Sequence, residues 1–281
     1  MSDRIAELMS RRPTKDYVAT LPAHALEEYR EKGFTAVGQI TTDEEVEWLR
    51  EVYDAMFDGD VDNVFVVKDV MTRIDEQRGV RVSQIIRPET QLPELRNTVF
   101  SRNGRRLAAQ LLGLNPEGLE AWGHMVRKAP NDTESLEWHQ DEAFWDPHFD
   151  YNALSCWMPL DPATVETGCM SMVPGSHKLG ILPHKLGKDD PAVSYIEVAE
   201  PPKPEQAVLR PIEVGGASFH HCRTVHGSGP NRSTGVRRAF IFEWQTPPVA
   251  RSVPNDHPWW FRRHEAMMKL APQRMAPAVV D

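Results

Sequence analysis

The pattern of apolar and polar positions changes character near residue 120. Before that point apolar residues recur at helical spacing. Across TTDEEVEWLREVYDAMFDG, Val46, Leu49, Val52, Tyr53 and Met56 share one face, Thr42 and Glu45 match a capping box, and Gly59 can end the element. A further helix is predicted within AHALEEYREKG, and PELRNTVFSRNGRRLAAQLLG supplies one or two more before a turn at NPEG. From Ala121 the chain breaks into short stretches rich in β-branched, aromatic and Met residues: AWGHMVRKAP, ALSCWMPLDP, GCMSMVPGSH, PIEVGGASFHH and RRAFIFEWQTP. Many short strands separated by turn residues predict a mainly β fold with flanking helices, of the sandwich, barrel or jelly-roll type. No helices alternate with these strands and no phosphate-cradling glycine loop is present, which argues against a Rossmann sheet.

The expected organisation is one domain over residues 1–281. Residues 1–120 are mainly helical, 121–247 carry the strand-rich core, and 248–281 form a C-terminal extension in which HPWWFRRHEAMMKL reads as a helix packed on the barrel. The polar, proline-rich run from Leu179 to Leu209 suits a long excursion between strands and a possible lid.

Composition narrows the function classes. With 40% hydrophobic and 26% charged residues the chain is ordinary for a globular protein. A net charge of -9 and the lack of a long basic run argue against a nucleic-acid partner. Cys156, Cys169 and Cys222 are far apart with no CxxC pair, so neither a zinc knuckle nor a disulfide framework is expected. The N-terminal residues lack a signal-peptide apolar core and no run approaches membrane-spanning length, so a cytoplasmic protein without a membrane partner is expected.

The segment EWHQDEAFWD carries the first chemistry. If residues 137–141 are extended, His139 and Asp141 project to one face and Gln140 turns away, which suits two corners of a metal site. By itself an HxD pair is common, and an N-cap Asp beside a core or surface His is its more usual explanation. The third ligand would come from the remaining histidines. His226, in TVHGSGPNRSTGVRRAF, ends an apolar stretch before a turn and a second apolar stretch from Arg237, which reads as a hairpin with functional groups on both arms. Arg237 and Arg238 face opposite sides of that strand, so one of them can look inward and grip a carboxylate. His220 shares the face of His226, His221 does not, and His177 in PGSH reads as a turn residue. Trp138, Phe144, Trp145, His148, Phe149 and Tyr151 are pocket or core candidates, and Gln84, in RVSQIIRPE, is a polar candidate whose alignment is too loose to assign a role.

WHQD, GCMSMVPGSHKLG and HGSGPNRSTGVRRA, in that order, resemble the signature of the phytanoyl-CoA dioxygenase-like family of iron(II)- and 2-oxoglutarate-dependent oxygenases, over about Gly123 to Trp244. The resemblance implies a double-stranded β-helix, a cupin-like jelly roll with helices outside it. It implies that His139, Asp141 and His226 ligate Fe(II). It also implies that Arg237, eleven positions beyond His226, binds the far carboxylate of 2-oxoglutarate, that Ser228 donates to the same carboxylate, and that the Trp157 indole lies along the co-substrate. The implied reaction consumes O2 and 2-oxoglutarate, releases succinate and CO2, and hydroxylates an unactivated C–H bond of a small-molecule metabolite. Related halogenases lack the carboxylate ligand, so Asp141 favours hydroxylation or another oxidation over halogenation. Gly215, Gly216 and Ala217 stand where the family often has Gly-Asp, a change expected to alter a turn and not ligation. A cupin-like isomerase or hydrolase that does not use 2-oxoglutarate is the alternative, and a non-catalytic binder on the same fold is the third. The aromatic-rich motif mildly favours a substrate with apolar bulk, such as a terpenoid, polyketide or acyl chain.

Overall fold

The computed structural model describes residues 2–67, 70–71, 82–193 and 195–274. Its helices are α1 (Asp3–Ser10), α2 (Ala25–Lys32), α3 (Asp43–Asp58), α4 (Val99–Leu112) and α5 (Pro258–Arg274). The Thr42 hydroxyl accepts from the Glu45 amide at 3.2 Å, and Gly59 closes α3 at φ 89°, as its spacing predicts. Only half of the capping box forms. The Glu45 carboxylate instead accepts from the Val99 and Phe100 amides at 2.6 and 2.8 Å, so one buried anion satisfies the positive end of α4 and ties it to α3.

A seven-stranded antiparallel sheet runs in the order β1 (Phe34–Val37), β12 (Ala217–His221), β7 (Ala153–Pro159), β14 (Arg237–Gln245), β4 (Glu120–Lys128), β3 (Val82–Ile86), β2 (Phe65–Val67). A smaller sheet runs β11 (Val208–Arg210), β8 (Met170–Met172), β13 (His226–Ser228), β5 (Leu136–His139). Among the described residues two short pairs complete the strands: β9 (His184–Leu186) with β10 (Ile196–Val198), and β6 (Phe149–Asp150) with β15 (Val249–Ala250). The architecture is the mainly β jelly roll with outer helices that the sequence predicts. The strand-poor first part nonetheless adds β1, β2 and β3 to the large sheet.

Period-two alternation splits the large sheet into two faces. Leu154, Cys156, Met158, Phe240, Phe242 and Trp244 join the core beneath α3 and α4, where the Phe100 ring lies 5.5 Å from both Phe240 and Phe242. The opposite residues, among them Val126, Trp157, Ala239 and Ile241, pack toward Met170 and Met172 of the small sheet. Chemistry therefore collects between the sheets.

The segment from His226 to Arg237 is not the hairpin that its turn residues suggest. β13 pairs with β5 and β8 in the small sheet, whereas β14 pairs with β4 and β7 in the large one. The connection crosses between sheets, so the two arms face each other across the barrel. Asn231 holds the crossing: its side-chain amide donates to the Ala129 and Gly235 carbonyls at 3.0 and 2.8 Å. Cys156, Cys169 and Cys222 are free and buried. Among the described residues no helix is long and apolar enough to cross a membrane.

Candidate active site

β5 and β13 lie side by side with His139 opposite His226, and their rings are 4.2 Å apart. β5 ends at His139, Gln140 remains extended, and Asp141 opens a short 3-10 turn that carries its carboxylate back toward both imidazoles. Asp141 Oδ1 lies 3.7 Å from His139 Nε2 and 3.5 Å from His226 Nε2. Ligand atoms of these three residues all fall within 4.8 Å of one another, the one such cluster among the described residues. Gln140 turns away, as alternation predicts: its amide donates to the Gly180 and Arg223 carbonyls and its oxygen accepts from the Leu182 amide.

Each imidazole is oriented from behind. His139 Nδ1 donates to the Glu137 carbonyl at 2.7 Å and His226 Nδ1 donates to the Thr224 carbonyl at 2.9 Å, which leaves each Nε2 lone pair aimed at the common centre. Burial holds both histidines below the ordinary imidazole range, so both are neutral donors at neutral pH. Burial alone would raise the Asp141 carboxyl, but His226, His220 and His139 around it bring it below the usual carboxylate range. Two neutral imidazoles and one carboxylate facing an open side make a donor set suited to ferrous iron.

The cluster opens into a cavity of about 420 Å³ between the sheets. At its end Arg237 is 2% exposed, with its guanidinium 5.3 Å from the Trp157 ring. Arg237 Nε and Nη1 and the nearby Ser228 Oγ are buried without a hydrogen-bond partner among the described residues. Burial depresses the Arg237 pKa to about 10, which leaves it charged at neutral pH. Arg238 faces the helices instead and pairs with Asp54 and Asp161 at 2.9 Å. Lys128 stands beside Arg237 in register, and its Nζ donates to the Ser228 and Gly229 carbonyls.

All six expected site residues, His139, Asp141, His226, Arg237, Ser228 and Trp157, line this one cavity. Gln84, on β3, joins them, as do Phe144 and Trp145. Trp138, Phe149 and Tyr151 do not, and His148 pairs at the surface with Asp146 at 2.6 Å. His220 lines the cavity and donates to Asp141 Oδ2 at 3.1 Å, whereas His221 faces the other way and accepts from the Arg223 amide at 3.0 Å. Sequence reasoning passed over Ser155, His124 and Glu243, which also line the cavity. The available signal was a lone Glu inside the apolar run AFIFEWQ, on the face set by Arg237. It also passed over Tyr195 from the 179–209 excursion and Arg263 from α5, which reach the cavity from outside the sheets. α5 packs against the metal motif, with Trp259 Nε1 donating to the Ala143 carbonyl at 3.0 Å.

These residues fit the iron and 2-oxoglutarate that the sequence implies. The triad supplies three donors, and a buried guanidinium with two unpartnered N–H groups calls for an anion that the described protein does not provide. Comparison with known proteins agrees. The model of the phytanoyl-CoA dioxygenase (PhyH) family matches residues 29–239. A probable alpha-ketoglutarate-dependent hypophosphite dioxygenase of Stutzerimonas stutzeri is 29% identical, over 76% of this chain and 74% of the relative. The peroxisomal phytanoyl-CoA dioxygenase of Mus musculus is 24% identical, over 75% of this chain and 64% of the relative. Among solved structures, EvdO2 of Micromonospora carbonacea var. aurantiaca complexed with 2-oxoglutarate is 32% identical, with a TM-score of 0.76 over 87% of this chain and 99% of that one. The chain belongs to the phytanoyl-CoA dioxygenase family and is an oxygenase dependent on iron(II), 2-oxoglutarate and O2.

Proposed function

We propose that His139, Asp141 and His226 hold the ferrous ion, that Arg237 and Ser228 bind the far carboxylate of 2-oxoglutarate beside Trp157, and that the enzyme hydroxylates a C–H bond of a carbon-rich small molecule. The observation that carries this reading is Arg237: a buried cation in the triad's own cavity with two N–H groups unpartnered among the described residues. Leaving such a group unsatisfied is costly, so the fold retains it for a ligand. When bound, iron and 2-oxoglutarate supply an oxidant strong enough for an unactivated C–H bond, with succinate and CO2 as co-products.

The chain's own residues bind, orient and exclude water. Glu137 and Thr224 carbonyls fix the two imidazoles, Ser155 and His220 hold Asp141 Oδ2, and the Trp157 face flanks Arg237. The cavity wall is mostly apolar, with Ile86, Trp122, Leu136, Phe144, Tyr195 and Ile196 among its lining residues. Such a lining favours apolar bulk and keeps the site dry. The reading of residues 1–281 as one oxygenase domain is supported by β1–β3, which the first 120 residues contribute to the large sheet.

The cupin-like alternative has no use for Arg237 and Ser228. The test is succinate release from 2-oxoglutarate under Fe(II) and O2, screened across terpenoid, polyketide and acyl substrates. The expected hit accelerates succinate release and gains one oxygen atom by mass. Metal-dependent conversion of a substrate without consumption of 2-oxoglutarate would favour the alternative.

A further inference from the structure

Glu243 lies on the cavity face of β14, 2% exposed, without a metal-ligand role in the reading above. Ser155, on the neighbouring β7 and paired with it in register, bridges it to the metal cluster. The Ser155 hydroxyl oxygen is 2.6 Å from Asp141 Oδ2 and 2.6 Å from Glu243 Oε2. Both partners are carboxyl groups, yet a serine hydroxyl carries a single hydrogen. Were both carboxyls ionised, one of these two short contacts would bring lone pairs together in a buried site. One of the two must supply a hydrogen.

The surroundings decide which. The Asp141 oxygens lie 3.7, 3.1 and 3.5 Å from the Nε2 atoms of His139, His220 and His226, and Oδ2 already accepts from His220, so Asp141 is the accepting partner. Glu243 has no such partner: Ser155 is the one hydrogen-bond contact of its carboxyl among the described residues. Burial first, and the Asp141 charge second, hold the Glu243 carboxyl well above its ordinary range. His124, which lines the same cavity, is kept neutral by burial, its pKa falling to about 4. The hydrogens then run one way, from the Glu243 carboxyl to Ser155 Oγ and from the Ser155 hydroxyl to Asp141 Oδ2.

Resting on the iron-site reading, we propose that Glu243 is a positioning residue that works as a neutral carboxylic acid: by donating to Ser155 it locks the serine hydroxyl onto Asp141 Oδ2. With Oδ2 occupied by Ser155 and His220, only Oδ1 faces the two Nε2 atoms, at 3.5 and 3.7 Å. Asp141 is thereby kept to one metal-directed oxygen, and the position its second oxygen would otherwise take stays available for co-substrate. A neutral Glu243 also leaves no fixed negative charge on the wall that substrate meets.

The test uses the full chain without 2-oxoglutarate and the probe Co(II), whose visible spectrum reports how its carboxylate ligand is bound. Glu243→Gln keeps a donor toward Ser155 and is expected to match wild type within about 2-fold in Co(II) affinity, with the same spectrum. Glu243→Ala and Ser155→Ala should each lose roughly 10- to 100-fold in affinity and shift the spectrum, as removal of a ligand's supporting hydrogen bond does. The double variant should lose no more than Ser155→Ala alone, because the two residues act as one unit. In metal-free wild type, infrared spectroscopy at neutral pH should show a protonated-carboxyl band that Glu243→Gln removes. Loss in Glu243→Gln as large as in Glu243→Ala, or absence of that band, overturns the proposal. Should Glu243→Ala fail to fold, Glu243→Gln, Ser155→Ala and the infrared band decide it. Failure of wild type itself to take up Co(II) overturns the iron-site reading together with this one, and is distinguished by appearing before any substitution.

Discussion

Along β14, Phe240, Phe242 and Trp244 turn toward α3 and α4, while Arg237, Ile241 and Glu243 turn toward the cavity. The same alternation on β7 puts Leu154, Cys156 and Met158 on the outer side and Ser155 and Trp157 on the inner. One face is almost wholly apolar and closely packed. The other holds buried groups whose hydrogen bonds or charges are completed by one another or await a ligand. The comparison teaches that this sheet separates two duties residue by residue: outer positions carry stability, and inner positions carry chemistry at some cost in stability.

The largest effect that would sharpen this division is expected from Asp141→Ala. Iron binding and succinate formation should be lost while the midpoint of denaturant unfolding falls little, since no outer-face contact is touched. Iron uptake at wild-type affinity would break the assignment. On the opposite face Phe240→Ala empties a fully buried site against Phe100 and should cost about 3–5 kcal/mol of unfolding free energy, measured by denaturant titration. Metal affinity in the remaining folded fraction should be near normal. A change in metal affinity with little loss of stability would show that the two faces are not separable.

A smaller effect concerns pH. His221, behind the sheet, and His184, beneath the metal strand, are both pushed by burial to about 4. Their folded pKa values lie below the unfolded value near 6.5, so the unfolded chain binds more protons between these limits. The stability each contributes is fully present above about pH 6.5 and is withdrawn as pH falls toward 4, by up to about 3 kcal/mol per imidazole. Unfolding midpoints measured from pH 7 down to 4.5 should fall steadily, and His221→Gln should flatten the slope. An unchanged slope in that variant would remove His221 from the account.

Much of the inner face was legible because period-two spacing and the order of three motifs are local properties. HxD brought His139 and Asp141 together, and Arg237 and Arg238 separated to opposite faces as the strand required. What was not legible depended on partners far along the chain. The turn after His226 reads as a hairpin because turn residues report direction and not which sheet each arm joins. Glu45 looked like half of a capping box, but two free amides at the start of α4 compete for its carboxylate. β1, only four residues long, carries too short an alternation to be read as a strand, and its place is set by pairing with β12. Ser155 and Glu243 had no motif, and only the register of β7 against β14 brings them together.

The central claim is that one cavity holds iron at His139, Asp141 and His226 and 2-oxoglutarate at Arg237. It is tested most directly by adding 2-oxoglutarate without oxygen to the Fe(II)-loaded protein and following the visible charge-transfer absorption of the chelated keto acid. Wild type should develop the band and saturate. Arg237→Gln should develop the same band but need far more 2-oxoglutarate, consistent with about 2–5 kcal/mol lost when one partner of a buried charge pair is removed. No band in wild type, or an unchanged half-saturation in Arg237→Gln, would contradict the account.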